Sequence, residues 1–284
     1  MSRTISRLRT WGSFVKFEHT LFSLPLLYAG AVLAAGGMPS WWTILWILGA
    51  GTGARTAALA LNRIIDRHID AANPRTADRE LPRGAMKLSE ALAVVTAGLL
   101  LYLISCAMLA PICLLLSPVP LAAFVIYPYL KRLTLLAHLG VGVALAFAPL
   151  GGYVAVTGSL REPAPALWLA TFTLLWVAGF DIIYATLDQD FDRRAGIHSM
   201  PALLGRGAAL RVAALFHMVA VASLVGLYVQ ALAGVVAVAG LVAIAGVLVA
   251  ENRLAQRVNL AFFHLNIVVG FLVFGVVVAG KAGQ

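Results

Sequence analysis

The sequence predicts an all-α polytopic membrane protein with nine transmembrane helices and a cytoplasmic N-terminus. Three observations carry that prediction. The 284 residues are 61% hydrophobic and 12% charged, with a mean hydropathy of +0.92, whereas a soluble domain carries about 25% charge. Nine apolar segments approach the roughly 20 residues that span a bilayer. The charge between them alternates in density from one connection to the next. No length is left for a separate soluble domain, so residues 1–284 read as a single transmembrane domain.

The segments are, in order, residues 15–36, 41–62, 88–109, 111–130, 134–157, 165–188, 208–230, 232–250 and 259–279. The first follows the basic stretch MSRTISRLRTWGSFVKFEHT. Its apolar run lacks a small-residue cleavage site, so it reads as a retained helix rather than a signal peptide. The third and fourth are parted only by Ala110-Pro111, and the seventh and eighth by the short stretch from Ala231 to Gly234. Basic residues gather before the first segment (Arg3, Arg7, Arg9, Lys16) and between the second and third, from Arg63 to Lys87. They return at Lys131 and Arg132, from Arg193 to Arg211, and at Arg253 and Arg257. The opposite side holds only Arg161 and Lys281, while Arg55 lies inside the second segment. The positive-inside rule therefore places the N-terminus in the cytoplasm and the C-terminus outside. The net charge of +9 is a topology signal and not a nucleic-acid footprint. Cys106 and Cys113 lie in apolar surroundings and read as small buried hydrophobes, with neither a disulfide nor a metal framework.

Half of the 12 acidic residues fall in two short stretches. NRIIDRHID carries Asn62, Asp66 and Asp70; DIIYATLDQDFD carries Asp181, Asp188, Asp190 and Asp192. Each closes an apolar segment on the cytoplasmic side and precedes a basic loop, AANPRTADRELPRGAM or RRAGIHSMPALLGRG. This is a weak internal repeat. On a helix, positions four apart advance about 40° and rise about 6 Å, so Asn62, Asp66 and Asp70 share one stripe. The same geometry aligns Asp181, Asp188 and Asp192 more tightly still, within about 40° of one another. Such acids could be solvated neighbours of Arg63, Arg67 and Arg193, but solvation gives no reason for two ordered stripes. Carboxylates at a membrane helix end are costly and mark function. Two stripes facing one another suit Mg²⁺, which takes a few carboxylates, retained waters and a phosphate partner.

The stretches NRIIDRHID and NPRTADRELPRG, YPYLKR at 127–132 and FDIIYATLDQDFD together resemble the UbiA superfamily of intramembrane aromatic prenyltransferases. The resemblance runs from about residue 14 to 205, with the motifs in the family's order. It implies a nine-helix bundle around a central cavity, agreeing with the segment count. It also implies Mg²⁺ held by Asn62, Asp66, Asp70, Asp188 and Asp192, with Asp66, Asp188 and Asp192 as the catalytic acids. The donor would be a polyprenyl diphosphate, its diphosphate met by Asn62, Arg63, Arg79, Lys131 and Arg132. Ionisation of the C1–O bond would give an allylic cation, which an electron-rich arene attacks before a ring proton is lost. A developing diphosphate charge calls for metal and cationic clamps, and an allylic cation for a dry, aromatic cavity. Tyr127, Phe180 and Tyr184 are candidates for that cavity, with Asp181 beside them. Loop arginines such as Arg75 and Arg83 read instead as topology and lipid contacts.

The acceptor side departs from the common pattern, since KFEHTLFSLP stands where many members have an early Arg-Pro pair. Lys16 is a candidate for an acceptor carboxylate, or else an anchor at the membrane boundary. His19 could bond the acceptor or only its neighbour Glu18. Arg55, seven residues before Asn62, shares its stripe and is a second-tier site residue. His138, His217 and His264 form no metal pattern. The variant resembles bacterial 4-hydroxybenzoate polyprenyltransferases, with relatives acting on 1,4-dihydroxy-6-naphthoate in menaquinone synthesis. Both acceptors are hydroxylated aromatic carboxylates of respiratory quinone biosynthesis. These expectations place the protein in a bacterial cytoplasmic (inner) membrane, with its site open to the cytoplasm, lipid around it and no nucleic-acid partner. A CDP-alcohol phosphotransferase would need an Asp-Gly and Ala-Arg order absent from RIIDRHIDAANPRTAD. A cation-coupled transporter would place its acids nearer the midplane.

Overall fold

The computed structural model describes residues 10–15, 20–255 and 258–284. Its helices are α1 (Thr20–Ala35), α2 (Trp41–Ile65), α3 (Arg67–Ala72), α4 (Leu88–Leu109), α5 (Pro111–Leu116), α6 (Pro118–Leu130) and α7 (Ala137–Thr157). They continue with α8 (Ala164–Ala185), α9 (Gln189–Ala195), α10 (Met200–Leu204), α11 (Arg206–Ala231), α12 (Val235–Leu254) and α13 (Val258–Ala282). Among the described residues eight helices are long and apolar enough to cross a membrane, with α5 and α6 forming one of them. The first expected segment appears as α1, whose apolar part, Ser23–Ala35, is shorter than a full crossing.

The helices pack as a bundle in which α1 touches α7, α7 touches α8, and α8 touches α11; α12 and α13 form a hairpin that returns to α1. The pair α2 and α4 packs beside α6 and α7 to complete the wall. Trp176 anchors the largest core cluster, stacked on Phe172 at 5.4 Å and met edge-on by Phe180 at 5.6 Å. The outside is as apolar as the inside. Leu115, Val229 and Val235 are 76%, 80% and 80% exposed, which a bilayer tolerates and water does not.

Without a hydrophobic drive between helices in lipid, close packing must hold them, and small residues permit it. A Cβ on Gly30 would lie 2.0 Å from the Pro149 carbonyl oxygen, and one on Gly152 would lie 1.9 Å from that of Leu27. Helices α1 and α7 therefore cross backbone to backbone. Polar glue joins the other half. Trp176 donates to Asn266 Oδ1 at 2.9 Å, and Asn266 donates to Glu251 at 3.0 Å. Asn252 donates to His217 Nδ1 at 2.7 Å, so the other imidazole nitrogen donates to the Trp176 carbonyl at 3.3 Å. One chain of bonds thus ties α8, α11, α12 and α13.

Candidate active site

Both acidic stretches are joints between a long helix and a short one. Asp66 leaves the helix at φ −91°, ψ 1°, between α2 and α3, and Asp188 does the same at φ −104°, ψ 5°, just before α9. The first joint preserves the expected stripe, because Asp66 N–H bonds Asn62 O at 2.9 Å and Asp70 N–H bonds Asp66 O at 2.8 Å. The second does not. From Thr186 to Asp188 each N–H reaches back three residues, to Ile183, Tyr184 and Ala185. This tighter winding rotates Asp181 out of line with Asp188 and Asp192, which corrects the single-stripe expectation. After α3, Asn73 is extended (φ −90°, ψ 117°), as a residue before proline must be. Its Oδ1 accepts from Arg75 N–H at 2.9 Å, leaving its amide nitrogen to point away.

That amide nitrogen reaches the second joint, donating to Asp188 Oδ1 at 2.9 Å. Arg75 follows it. Its Nε donates to Asp188 Oδ1 at 2.7 Å, a terminal nitrogen donates to Oδ2, and the other donates to Tyr184 Oη at 2.7 Å. The guanidinium also lies 4.9 Å above the Tyr184 ring. The first loop is thereby locked onto the second acidic stretch. Burial would push the Asp188 carboxyl up, but hydrogen bonds from Arg75 and then Asn73 outweigh it and hold the group below its usual range. Asp192 behaves oppositely: burial raises it, Ser199 opposes with a hydrogen bond, and the nearby charge of Asp188 raises it further.

At the first joint, Lys131 donates to Asp66 Oδ2 at 2.6 Å and Asn62 donates to the same oxygen at 3.1 Å. Arg132 donates to Ile65 O at 2.9 Å and approaches Asp66 Oδ1 at 3.4 Å. Arg79 donates to Asp70 Oδ2 at 2.8 Å. Arg63 is placed elsewhere: it pairs with Glu80 at 2.8 Å and lies 5.6 Å from the Phe14 ring centre. One residue along a helix turns the side chain by about 100°, which takes Arg63 off the Asn62 stripe.

One helical turn before Lys131, Tyr127 lines an apolar cavity of about 610 Å³ that also takes in Arg55 and the Tyr102 and Tyr153 side chains. Among the described residues the Nε of Arg55 is buried without a hydrogen-bond partner. Since Lys131 bonds Asp66 and Tyr127 lies one turn before it, the cavity adjoins the first acidic joint. Phe180 packs in the core against Trp176 and is not among the cavity-lining residues. Asp181 bonds His138 Nδ1 at 2.6 Å. Lys16 and His19 lie outside the described residues.

No group of three or more His, Cys, Asp or Glu among the described residues stands close enough to hold a metal alone. The donors nonetheless fit Mg²⁺ of the kind that binds through one or two carboxylates with a phosphate partner. Asp66 and Asp188 each present hard oxygens already compensated by a cation.

Residues 23–267 match the model of the UbiA prenyltransferase family. The chain belongs to that family. This UbiA protein is 34% identical over 203 residues to a 4-hydroxybenzoate octaprenyltransferase of Shewanella woodyi, a match covering 71% of the chain and 69% of the relative. It is 31% identical over 225 residues to the enzyme of the same name from Vibrio parahaemolyticus, covering 78% of each. The apo structure of a UbiA homolog from Aeropyrum pernix K1 superposes with a TM-score of 0.86 at 39% identity, over 92% of this chain and 97% of that one. A UbiA homolog from Archaeoglobus fulgidus bound to GPP and Mg²⁺ shares the fold at a TM-score of 0.70 and 16% identity, over 96% and 98%. Membership makes the chain an aromatic prenyltransferase, an enzyme embedded in a membrane.

Proposed function

We propose that this UbiA enzyme transfers a polyprenyl group from a polyprenyl diphosphate to a 4-hydroxybenzoate-type acceptor in respiratory quinone biosynthesis. The observation that carries the reading is the pair of acidic joints, pinned together by Arg75 at the edge of an apolar cavity. Asp66, Asp70, Asp188 and Asp192, with Asn62, would hold Mg²⁺. When bound, the metal draws charge from the diphosphate oxygens and eases departure of the leaving group.

The chain's own residues supply the rest. Lys131, Arg132, Arg79 and Arg75 stand ready to exchange their carboxylate partners for diphosphate oxygens, neutralising charge that grows as the C1–O bond breaks. The cavity keeps water from the allylic fragment, and the Tyr127 ring presents a negative face to it. Arg55, the cation among otherwise apolar lining, suits an acceptor carboxylate. Nine spans with the N-terminus in the cytoplasm would put the basic joints, and so the site, on the cytoplasmic face of a bacterial inner membrane. The likeness to 4-hydroxybenzoate enzymes favours that acceptor.

The test uses detergent-purified protein, Mg²⁺ and a polyprenyl diphosphate, with 4-hydroxybenzoate and 1,4-dihydroxy-6-naphthoate run side by side. Prenylated 4-hydroxybenzoate and released diphosphate are expected, with turnover abolished by EDTA and by Asp66→Ala or Asp188→Ala in folded protein. Turnover that survives EDTA would sink the metal assignment; transfer to the naphthoate alone would reassign the acceptor.

A further inference from the structure

Among the acids of the two stretches, Asp181 is held differently from Asp66, Asp70 and Asp188. Those three are bonded by Lys131, Arg79 and Arg75; Asp181 is bonded by His138. The bonding of this imidazole fixes its tautomer. His138 Nε2 lies 3.2 Å from the Met200 backbone N–H, which can only donate. Nε2 is therefore the bare nitrogen, and the proton sits on Nδ1, where it is donated to Asp181 Oδ2 at 2.6 Å. His138 is 4% exposed, so packing and two hydrogen bonds settle its orientation. Asp181 keeps 29% of its side chain exposed, and its Oδ1 has no hydrogen-bond partner among the described residues. Asp181 stands one turn before Tyr184, whose hydroxyl accepts from Arg75, and its partner His138 stands one turn before the cavity-lining Val141, which locates the carboxylate between the acidic joints and the cavity.

A carboxylate clamped by Lys or Arg is a weakened base, because the cation favours its charged form. Asp66, Asp70 and Asp188 each have an oxygen taken up by such a cation. Asp192 is 8% exposed and bonded by Ser199. Asp181 combines a neutral donor on one oxygen with an open second oxygen and a side chain 29% exposed.

We propose that Asp181 accepts the ring proton that completes prenyl transfer, and that His138 is a positioning residue that aims it. The proposal rests on the acceptor being an arene, as above. The C1–O bond of the donor breaks and its electron pair leaves with the diphosphate. A ring π pair then forms the new carbon–carbon bond, leaving a cationic ring whose substituted carbon still carries hydrogen. Asp181 Oδ1 takes that proton, the C–H pair returns to the ring, and the proton passes to water.

The test compares wild type, Asp181→Asn, His138→Ala and His138→Asn on the acceptor and on its analogue deuterated at the prenylated ring carbon. Wild-type rates should be insensitive to deuteration, since C1–O cleavage comes first. Asp181→Asn should lower kcat about 100-fold or more, the ordinary scale of general-base loss, with the donor KM little changed. It should also reveal a primary isotope effect, as proton loss becomes the slow step. His138→Ala should move both readouts in the same direction, and His138→Asn, whose amide can stand in for Nδ1–H, should recover part of the rate. Thermal unfolding of each variant in detergent confirms the fold. Asp181→Asn turning over at near wild-type rate, or losing rate with no isotope effect, overturns the proposal. A wild-type protein that prenylates no arene at all instead overturns the functional reading beneath it.

Discussion

Asp66 and Asp188 share one backbone conformation: each opens a short helix at φ near −100°, ψ near 0°, Asp66 directly at the end of α2 and Asp188 three residues beyond the end of α8. That bridge conformation is sparsely populated and recurs at active sites. The repeat legible as two acidic motifs is therefore also a repeat of backbone geometry. The halves are not interchangeable, because the loop after the first supplies Asn73 and Arg75 to the second.

Arg75→Ala removes the fork that joins the halves. Its expected result is a loss of at least about tenfold in kcat/KM for the prenyl diphosphate, corresponding to about 1.4 kcal/mol. Arg75→Lys should not restore it, since an ammonium cannot bond both Asp188 oxygens and Tyr184 together. Steady-state kinetics with varied donor checks both.

The pH dependence has a definite sign. Burial raises Asp188, but Arg75 and Asn73 more than compensate, so its folded value is depressed. A depressed carboxyl stabilises the fold above its unfolded value of about 4 and loses that contribution as pH falls through the folded value. The metal-free wild type should thus exceed Arg75→Ala in thermal stability at neutral pH. The gap should close on acidification below about pH 4. A gap that widens in acid would contradict the pairing.

Arg55→Leu tests the cavity cation. The acceptor KM should rise about tenfold or more, the worth of one charge-assisted hydrogen bond to a carboxylate. The donor KM should stay near wild type. An acceptor analogue without the carboxylate should bind the variant and the wild type alike.

Gly152→Ala tests the α1–α7 crossing. The added methyl would meet the Leu27 carbonyl oxygen at 1.9 Å, and backbone cannot step aside as a side chain can. A loss of about 2 kcal/mol or more is expected, seen as a fall in the detergent melting temperature. Gly151→Ala, where nothing lies within 4 Å, is the matched control.

Much of this was legible in the residues. The apolar runs locate α2, α4, α8 and α11 to within a few positions, and the spacing of Asn62, Asp66 and Asp70 describes a true stripe. The break in the second stretch was not legible, since residues 185–188, Ala-Thr-Leu-Asp, contain no Gly or Pro to announce it. Arg75 lay inside a recognisable motif but looked like any loop arginine, because its worth comes from a partner 113 positions away. His138 gave no local signal either. Its meaning depends on Asp181 and on the Met200 amide, which only the packing of α7 against α8 and α10 brings near. Glu80, which takes Arg63 out of the site, was equally silent.

The cations on Asp66, Asp70 and Asp188 have a consequence for how such a chain is made. A newly synthesised copy must enter a bilayer before it meets any substrate. Bare carboxylates at the helix ends would repel one another and resist that passage. Here each of the three folds against its own internal counter-ion, so biogenesis need not wait for a ligand to complete the charge balance.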